Sequence, residues 1–147
     1  QGATDVAGAE AFFASHGATM IKAIAGGGGR GMRAIRDGGE MAAAHALCQA
    51  EALQAFGNGE VFGERLLEQP RHIEVQIIGD GSGAISHLGE RECSIQRRHQ
   101  KLVETAPAPG LAPELRDKLT QAAVTLAGAV DYRNVGTFEF LVDGDDF

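Results

Sequence analysis

Two stretches of this sequence carry side chains suited to handling an anion. The first is Gly26-Gly27-Gly28-Gly29-Arg30-Gly31, with Lys22 four residues upstream. Backbone freed of side chains can lay its N–H groups over polyphosphate, and an adjoining ammonium adds charge to that contact. The second runs from Cys93 to Lys101 and concentrates donors at Arg97, Arg98, His99 and Lys101. In a chain of net charge −7, with 20 acidic and 13 basic residues, so focused a cationic run calls for a negative partner. Glu139, between Phe138 and Phe140, offers a lone carboxylate of the kind that holds magnesium together with nucleotide phosphates. Plainer readings stand beside these. The glycine loop can be a floppy hairpin with a solvated lysine, and the basic run a solvated loop paired with Glu90, Glu92 and Glu104. His72 and Glu74 read as hydrogen-bonded surface groups.

Other chemistries are excluded by context. Gly26, Gly28 and Gly31 spell G-x-G-x-x-G, but the dinucleotide fingerprint needs a helix at once, and here only a short segment precedes Gly38-Gly39. No Gly-Lys-Ser/Thr follows, so a Walker loop fails too. Cys48 and Cys93 lie far apart with no Cys-x-x-Cys, which rules out a zinc knuckle and leaves two small core or surface thiols. The acidic balance, the absence of Trp and a single Tyr argue against nucleic acid. No apolar run approaches the ~20 residues of a membrane span, and the start Gln1-Gly2-Ala3-Thr4 lacks a signal pattern. The chain is therefore expected to be intracellular, or a segment of something larger, with neither nucleic acid nor membrane as partner.

The elements that must position these groups follow from periodicity. Ala9, Phe12 and Phe13 recur at helical spacing over Val6 to His16, with Thr4 or Asp5 as cap and Gly17 as stop. Thr19 to Ala25 and Met32 to Arg36 suit two strands joined by the glycine loop. Met41, Ala44, Leu47, Cys48, Ala52 and Phe56 form one stripe over Glu40 to Phe56, ended by Gly57-Asn58-Gly59. Val61 to Leu67 reads as a strand. Arg71 to Asp80 alternates, with Ile73, Val75 and Ile77 opposite His72, Glu74 and Gln76, and a Gly-rich reversal leads into a partner strand over Ala84 to Leu88. Pro113 and Glu114 open a helix striped by Leu115, Leu119, Ala122, Leu126 and Val130. Val135 to Val142 alternates again, placing Phe138, Phe140 and Val142 opposite Glu139 and Leu141. A turn at Asp143-Gly144 makes Phe147 the start of a returning strand, so the polypeptide is expected to be cut from a longer one.

Five motifs then resemble the biotin carboxylase branch of the ATP-grasp proteins. They are KAIAGGGGRGMR (Lys22 to Arg33), PRHIEVQ (Pro70 to Gln76), LGERECSIQRRHQK (Leu88 to Lys101), APAPG (Ala106 to Gly110) and GTFEFL (Gly136 to Leu141), in the family's order across nearly the whole chain. The SIQRRHQK string is the specific one. The resemblance implies an α+β ATP-grasp fragment: antiparallel sheets with helices packed on one face, a lid subdomain over residues 1–66, and a truncated first part of the larger sheet subdomain over 67–147. It implies that Lys22, Gly28 and Gly29 contact phosphates, that Glu64, Arg65, Leu66 and Leu67 form the adenine hinge through backbone, and that His72 contacts ribose. Gln96 and His99 would line the nucleotide pocket, Lys101 would face bicarbonate and the terminal phosphate as the catalytic cation, and Glu139 would ligate Mg2+ (or Mn2+).

The family's reaction, so implied, uses MgATP and bicarbonate to carboxylate biotin on a biotin carboxyl carrier domain through carboxyphosphate, with a carboxyltransferase component finishing the transfer. The family's second metal-binding glutamate, an asparagine, a catalytic arginine and the bicarbonate base fall beyond Phe147, so the segment alone is expected not to turn over. The whole protein is expected to be a homo-oligomer of the cytoplasm, or of the mitochondrial matrix in a eukaryote. A non-catalytic structural or nucleotide-binding module and a different ATP-grasp ligase are the alternatives. Departures from the family pattern are Ala25, Arg65-Leu66, Asp131 and Asn134-Val135.

Overall fold

The structure is a computed structural model that describes residues 2–27 and 29–147; Gly28, a phosphate contact by resemblance, lies outside the described residues. The chain divides into two compact units, Gln1–Glu68 and Gln69–Phe147.

In the first unit the order is α1 (Val6–His16), β1 (Thr19–Ala23), β2 (Met32–Ile35), a 3-10 turn at Gly38–Glu40, α2 (Met41–Phe56) and β3 (Val61–Arg65). Asp5 caps α1 by accepting the Gly8 N–H at 2.8 Å, which satisfies a donor that the first helical turn leaves open. The strands form one antiparallel sheet in the order β2-β1-β3. Alternation along β1 sends Thr19, Ile21 and Ala23 inward and Met20 and Lys22 to the other face. Ile21, Ile35 and Val61 pack there with Ala9 and Phe13 of α1 and Met41, Ala44 and Cys48 of α2. One expectation fails: Leu47 is exposed, and His45 is buried instead, its Nε2 2.9 Å from the Thr4 carbonyl oxygen. The rest of the expected stripe holds, with Met41, Ala44, Cys48 and Ala52 buried and Phe56 half-buried.

In the second unit β4 (Arg71–Asp80), β5 (Ile85–Arg97), β6 (Gln100–Thr105), α3 (Pro113–Ala129) and β7 (Arg133–Val142) follow in turn. The sheet is antiparallel throughout, in the order β6-β5-β4-β7. Its apolar face, led by Ile73, Val75 and Ile77, packs on Leu115, Leu119, Ala123 and Ala127 of α3. Each large aliphatic side chain sealed there contributes about 1.5–3 kcal/mol. Leu126 and Val130, expected on the buried stripe, are exposed, and Ala123 and Ala127 take the inner positions. Mixed helix with antiparallel sheet, helices on one face, is the architecture the motifs implied.

The largest correction concerns the basic stretch. It is no loop: β5 continues from Ile85 to Arg97, and β6 returns from Gln100. Register shifts between Glu92 and Ile95 and between Ile95 and Gln96 break the period-two pattern, so alternation does not reveal the strand. Arg97 pairs with Gln100, which leaves a two-residue turn at Arg98 (φ 51°) and His99 (φ 63°), both left-handed. That is the turn type whose twist suits a hairpin, built here from residues that enter it at a cost.

Candidate functional site

The groups implicated by sequence fall in both units. In the first, Lys22 projects from β1 on the face away from the core and forms an ion pair with Glu64 of the neighbouring β3. The glycine loop between β1 and β2 is tied at its base, where the Ala23 N–H donates to the Gly31 carbonyl at 2.8 Å. Gly31 has φ 66°, and a Cβ there would lie 2.9 Å from that of Ala23, so only glycine fits. Gly29 is also left-handed, at φ 77°. Past Glu64, Arg65 is exposed and Leu66 and Leu67 are half-buried, with the Leu66 N–H donating to the Ala18 carbonyl at 2.9 Å.

In the second unit the polar face of β4 meets side chains from β5, β6 and β7. Glu74, expected at the surface, is 2% exposed. One carboxylate oxygen, Oε1, accepts from Arg91 Nε at 2.7 Å and from Arg91 Nη2, and the other, Oε2, accepts from Lys101 Nζ. The Lys101 ammonium also donates to Glu139 Oε1 at 2.5 Å. His72 Nε2 stands 3.7 Å from Glu139 Oε2. The Gln96 side-chain amide nitrogen lies 2.7 Å from His72 Nδ1 and donates to the Cys93 carbonyl at 2.9 Å. His72, Gln96, Lys101 and Glu139 are thus gathered as neighbours. His99 stands apart from them, exposed on the β5–β6 turn.

Electrostatics explain why a buried carboxylate is tolerable here. Burial alone would raise the Glu74 carboxyl, but hydrogen bonds from Lys101 and Arg91 outweigh it and hold the group below the usual carboxylate range. Burial would likewise lower Lys101, yet Glu139 and Glu74 hold its ammonium above the ordinary lysine range. Both are therefore ionised at neutral pH. An ammonium has three N–H groups, and among the described residues two go to these carboxylates, so one is left for an incoming anion.

A metal was expected at Glu139. Its carboxylate is a hard oxygen donor, 54% exposed on the same face as Lys101, and that suits one side of a Mg2+ whose other ligands are phosphate oxygens and water. Glu74, Cys93 and Glu104 also lie close enough together to share an ion. Arg91 already occupies that cluster, on Glu74 and 3.5 Å from Glu104, and burial pushes the Cys93 thiol up to about 11, leaving it neutral and a poor ligand.

Sequence barely marks two residues of this cluster: Glu74 reads there as a surface group, and nothing singles out Arg91. Their only sequence signal was Glu74's place between His72 and Gln76 on an alternating strand; the β4–β5 register that sets Arg91 opposite Glu74 is a tertiary fact.

The family described as "Carbamoyl-phosphate synthase L chain, ATP binding domain" matches residues 3–147. The chain belongs to that family. Among curated relatives it is 56% identical over 128 residues to the pyruvate carboxylase of Bacillus subtilis (strain 168), covering 87% of this chain and 11% of that protein. It is 57% identical over 124 residues to the mitochondrial pyruvate carboxylase of Rattus norvegicus, covering 84% of this chain and 10% of the relative. The chain therefore spans about a tenth of the length of these relatives. Among solved structures, the biotin carboxylase–β,γ-ATP complex from Campylobacter jejuni superposes with a TM-score of 0.95 at 43% identity, covering 99% of this chain and 33% of that one. The biotin carboxylase domain dimer of Hydrogenobacter thermophilus 2-oxoglutarate carboxylase, solved with MgADP, ADP and bicarbonate, does so with a TM-score of 0.92 at 42% identity, over 99% and 33%. The resemblance drawn from the motifs, to the biotin carboxylase branch of the ATP-grasp proteins, is the one these comparisons bear out. Among the described residues no helix is long and apolar enough to cross a membrane.

Proposed function

We propose that this chain is the nucleotide-gripping part of a biotin carboxylase, which uses MgATP and bicarbonate to carboxylate carrier-bound biotin through carboxyphosphate. The observation that carries the reading is Lys101, an ammonium pinned between buried Glu74 and half-exposed Glu139 with one N–H to spare. Phosphoryl transfer asks chiefly for positioning and charge neutralisation, so a fixed cation beside a free carboxylate suits it better than a nucleophile.

In this reading residues 1–66 are the lid and residues 67–147 open the larger sheet subdomain. Lys22 leaves Glu64 to meet phosphate, joined by the backbone of Gly28 and Gly29. Residues Glu64 to Leu67 present backbone to adenine, His72 bonds ribose, and Gln96 and His99 flank the nucleotide. Lys101 orients bicarbonate so that its oxygen meets the terminal phosphorus, and stabilises the negative charge gathering there. Glu139 would hold Mg2+, which draws charge from the phosphate oxygens when bound. The carboxyl group passes to a ureido nitrogen of biotin on a carrier domain, and a carboxyltransferase component takes it onward. The whole protein is a homo-oligomer, cytoplasmic or, in a eukaryote, of the mitochondrial matrix.

The test is steady-state ATP cleavage by the full-length protein with bicarbonate and biotin varied separately. Cleavage that rises with bicarbonate, and further with biotin, supports the assignment. Cleavage indifferent to both rejects it, and cleavage that answers to another acceptor makes the protein a different ATP-grasp ligase.

A further inference from the structure

We infer that Arg91 is a positioning residue for this site: by filling one oxygen of buried Glu74 and anchoring on Gln76, it fixes the other oxygen as the seat of Lys101.

The guanidinium of Arg91 has a place for each of its edges. Nε and Nη2 both meet Glu74 Oε1, and Nη1 donates to Gln76 Oε1 at 3.0 Å. Gln76 is itself held, since its amide nitrogen donates to the Gly136 carbonyl of β7 at 2.7 Å. The fork is thus tied to β4 directly and to β7 through one amide, while its own stem rises from β5. A fixed planar fork of this sort sets the orientation of the carboxylate it grips, which a lysine's point charge does not. Glu74 Oε1 is consumed, Oε2 is what remains, and Lys101 occupies it. Lys101 stands on edge strand β6. Besides these, Glu104 of β6 lies 3.5 Å from Arg91 Nε. Arg91 itself touches neither Lys101 nor Glu139 among the described contacts, so any influence on the reacting atoms passes through Glu74.

The same Glu74 would be buried against a single cation if Arg91 were absent. Its carboxylate would then be free to turn, taking the Lys101 ammonium with it. A displacement of about 1 Å at a group that orients a reactant costs on the order of a hundredfold in rate. The role rests on the biotin carboxylase reading, because it is bicarbonate-dependent cleavage that Lys101 is taken to serve.

The experiment uses the full-length protein with Arg91→Met, Arg91→Lys and, for comparison, Arg116→Met. Arg116 makes a single-edged contact of the same kind, its Nε donating at 2.8 Å to buried Glu90, but on α3 and outside the site. For Arg91→Met the expected result is a fall of about tenfold to a hundredfold in kcat for bicarbonate-dependent ATP cleavage, the usual effect of removing a partner of a site group, with KM for ATP held within about threefold. Arg91→Lys should recover part of the loss, and Arg116→Met should lower Tm while leaving kcat near wild type. Arg91→Met that merely lowers Tm, with kcat unmoved, overturns the inference. Should that variant not fold, Arg91→Lys decides: kcat down by about threefold or more at unchanged KM for ATP supports the role, and wild-type kcat overturns it. Wild-type protein with no bicarbonate-dependent cleavage defeats the functional reading and the positioning role together, whereas active wild type with indifferent Arg91 variants defeats the positioning role alone.

Discussion

Replacing Arg98 with asparagine should strengthen the β5–β6 hairpin. Arg98 and His99 both sit at positive φ, 51° and 63°, in a turn closed by the Arg97–Gln100 pair. A left-handed conformation costs an ordinary L residue about 1–2 kcal/mol, and asparagine, whose short side chain bonds locally, recovers roughly half of that. Arg98 is exposed, so no packing is lost in exchange. The net gain of about 0.5–1 kcal/mol corresponds to roughly two- to fivefold less local opening. Amide exchange over residues 96–101 of the full-length protein reads this directly: the hairpin amides should slow by that factor, with KM for ATP unchanged. His99→Gly relieves the same strain, but it loosens the unfolded chain by about 0.4–1 kcal/mol, so exchange should hardly move. It also deletes a side chain proposed to flank the nucleotide, and KM for ATP should rise. Faster exchange in Arg98→Asn, or the same rate as wild type, refutes the strain argument; an unaltered KM in His99→Gly refutes the reason offered for keeping a histidine there.

Lys101→Met should cut kcat for bicarbonate-dependent cleavage by about 10²–10³-fold, the cost of losing one preorganised charge at a developing anion, while Tm changes little because Arg91 still balances Glu74 and Glu139 can turn to water; turnover within a few-fold of wild type would count against its role. Gly79→Ala should destabilise the second unit by about 1–3 kcal/mol or more, because its Cβ would lie 1.9 Å from the Tyr132 carbonyl oxygen, which is backbone and cannot rotate away; a Tm equal to wild type would show that β4 can yield there. Burial tends to raise the Glu92 carboxyl, but hydrogen bonds from Arg71 and Ser94 win and hold it below the usual carboxylate range. A depressed carboxyl stabilises fully above its unfolded value of about 4.3, and that contribution is lost as pH falls through the folded value. The stability gap between wild type and Glu92→Gln should accordingly be constant from pH 7 to about 5 and narrow below, as urea midpoints at several pH values would show, and a gap that persists unchanged at low pH contradicts the assignment.

Most of the elements were legible because their residues answer to local rules. Asp5 caps α1, glycine ends α1 and α2, and β4 alternates because one of its faces is buried and the other polar. Where the expectation slipped, the cause was a choice among apolar residues. Periodicity ranks Leu47, Leu126 and Val130 with the core, but on α3 Ala123 and Ala127 join the expected Leu115 and Leu119 against the sheet, and on α2 Leu47 lies off the buried face formed by Met41, Ala44, Cys48 and Ala52. The strand through the basic run was hidden by its own bulges.

The chemistry divides along the same line. Lys22, His99, Lys101 and Glu139 are nameable from type and position as candidates for an anion and a metal, since side-chain chemistry is carried by the chain itself, whereas His72 and Gln96 are candidates only through the family resemblance. Which charge neutralises which was decided only by tertiary structure. Glu74 and Arg91 became partners because β4 and β5 pair in one register, and Lys101 reached Glu74 and Glu139 because β6 and β7 flank that pair on opposite sides of the sheet. Coulomb energy depends on separation and on water excluded from between the charges, and neither quantity exists until the strands are assembled.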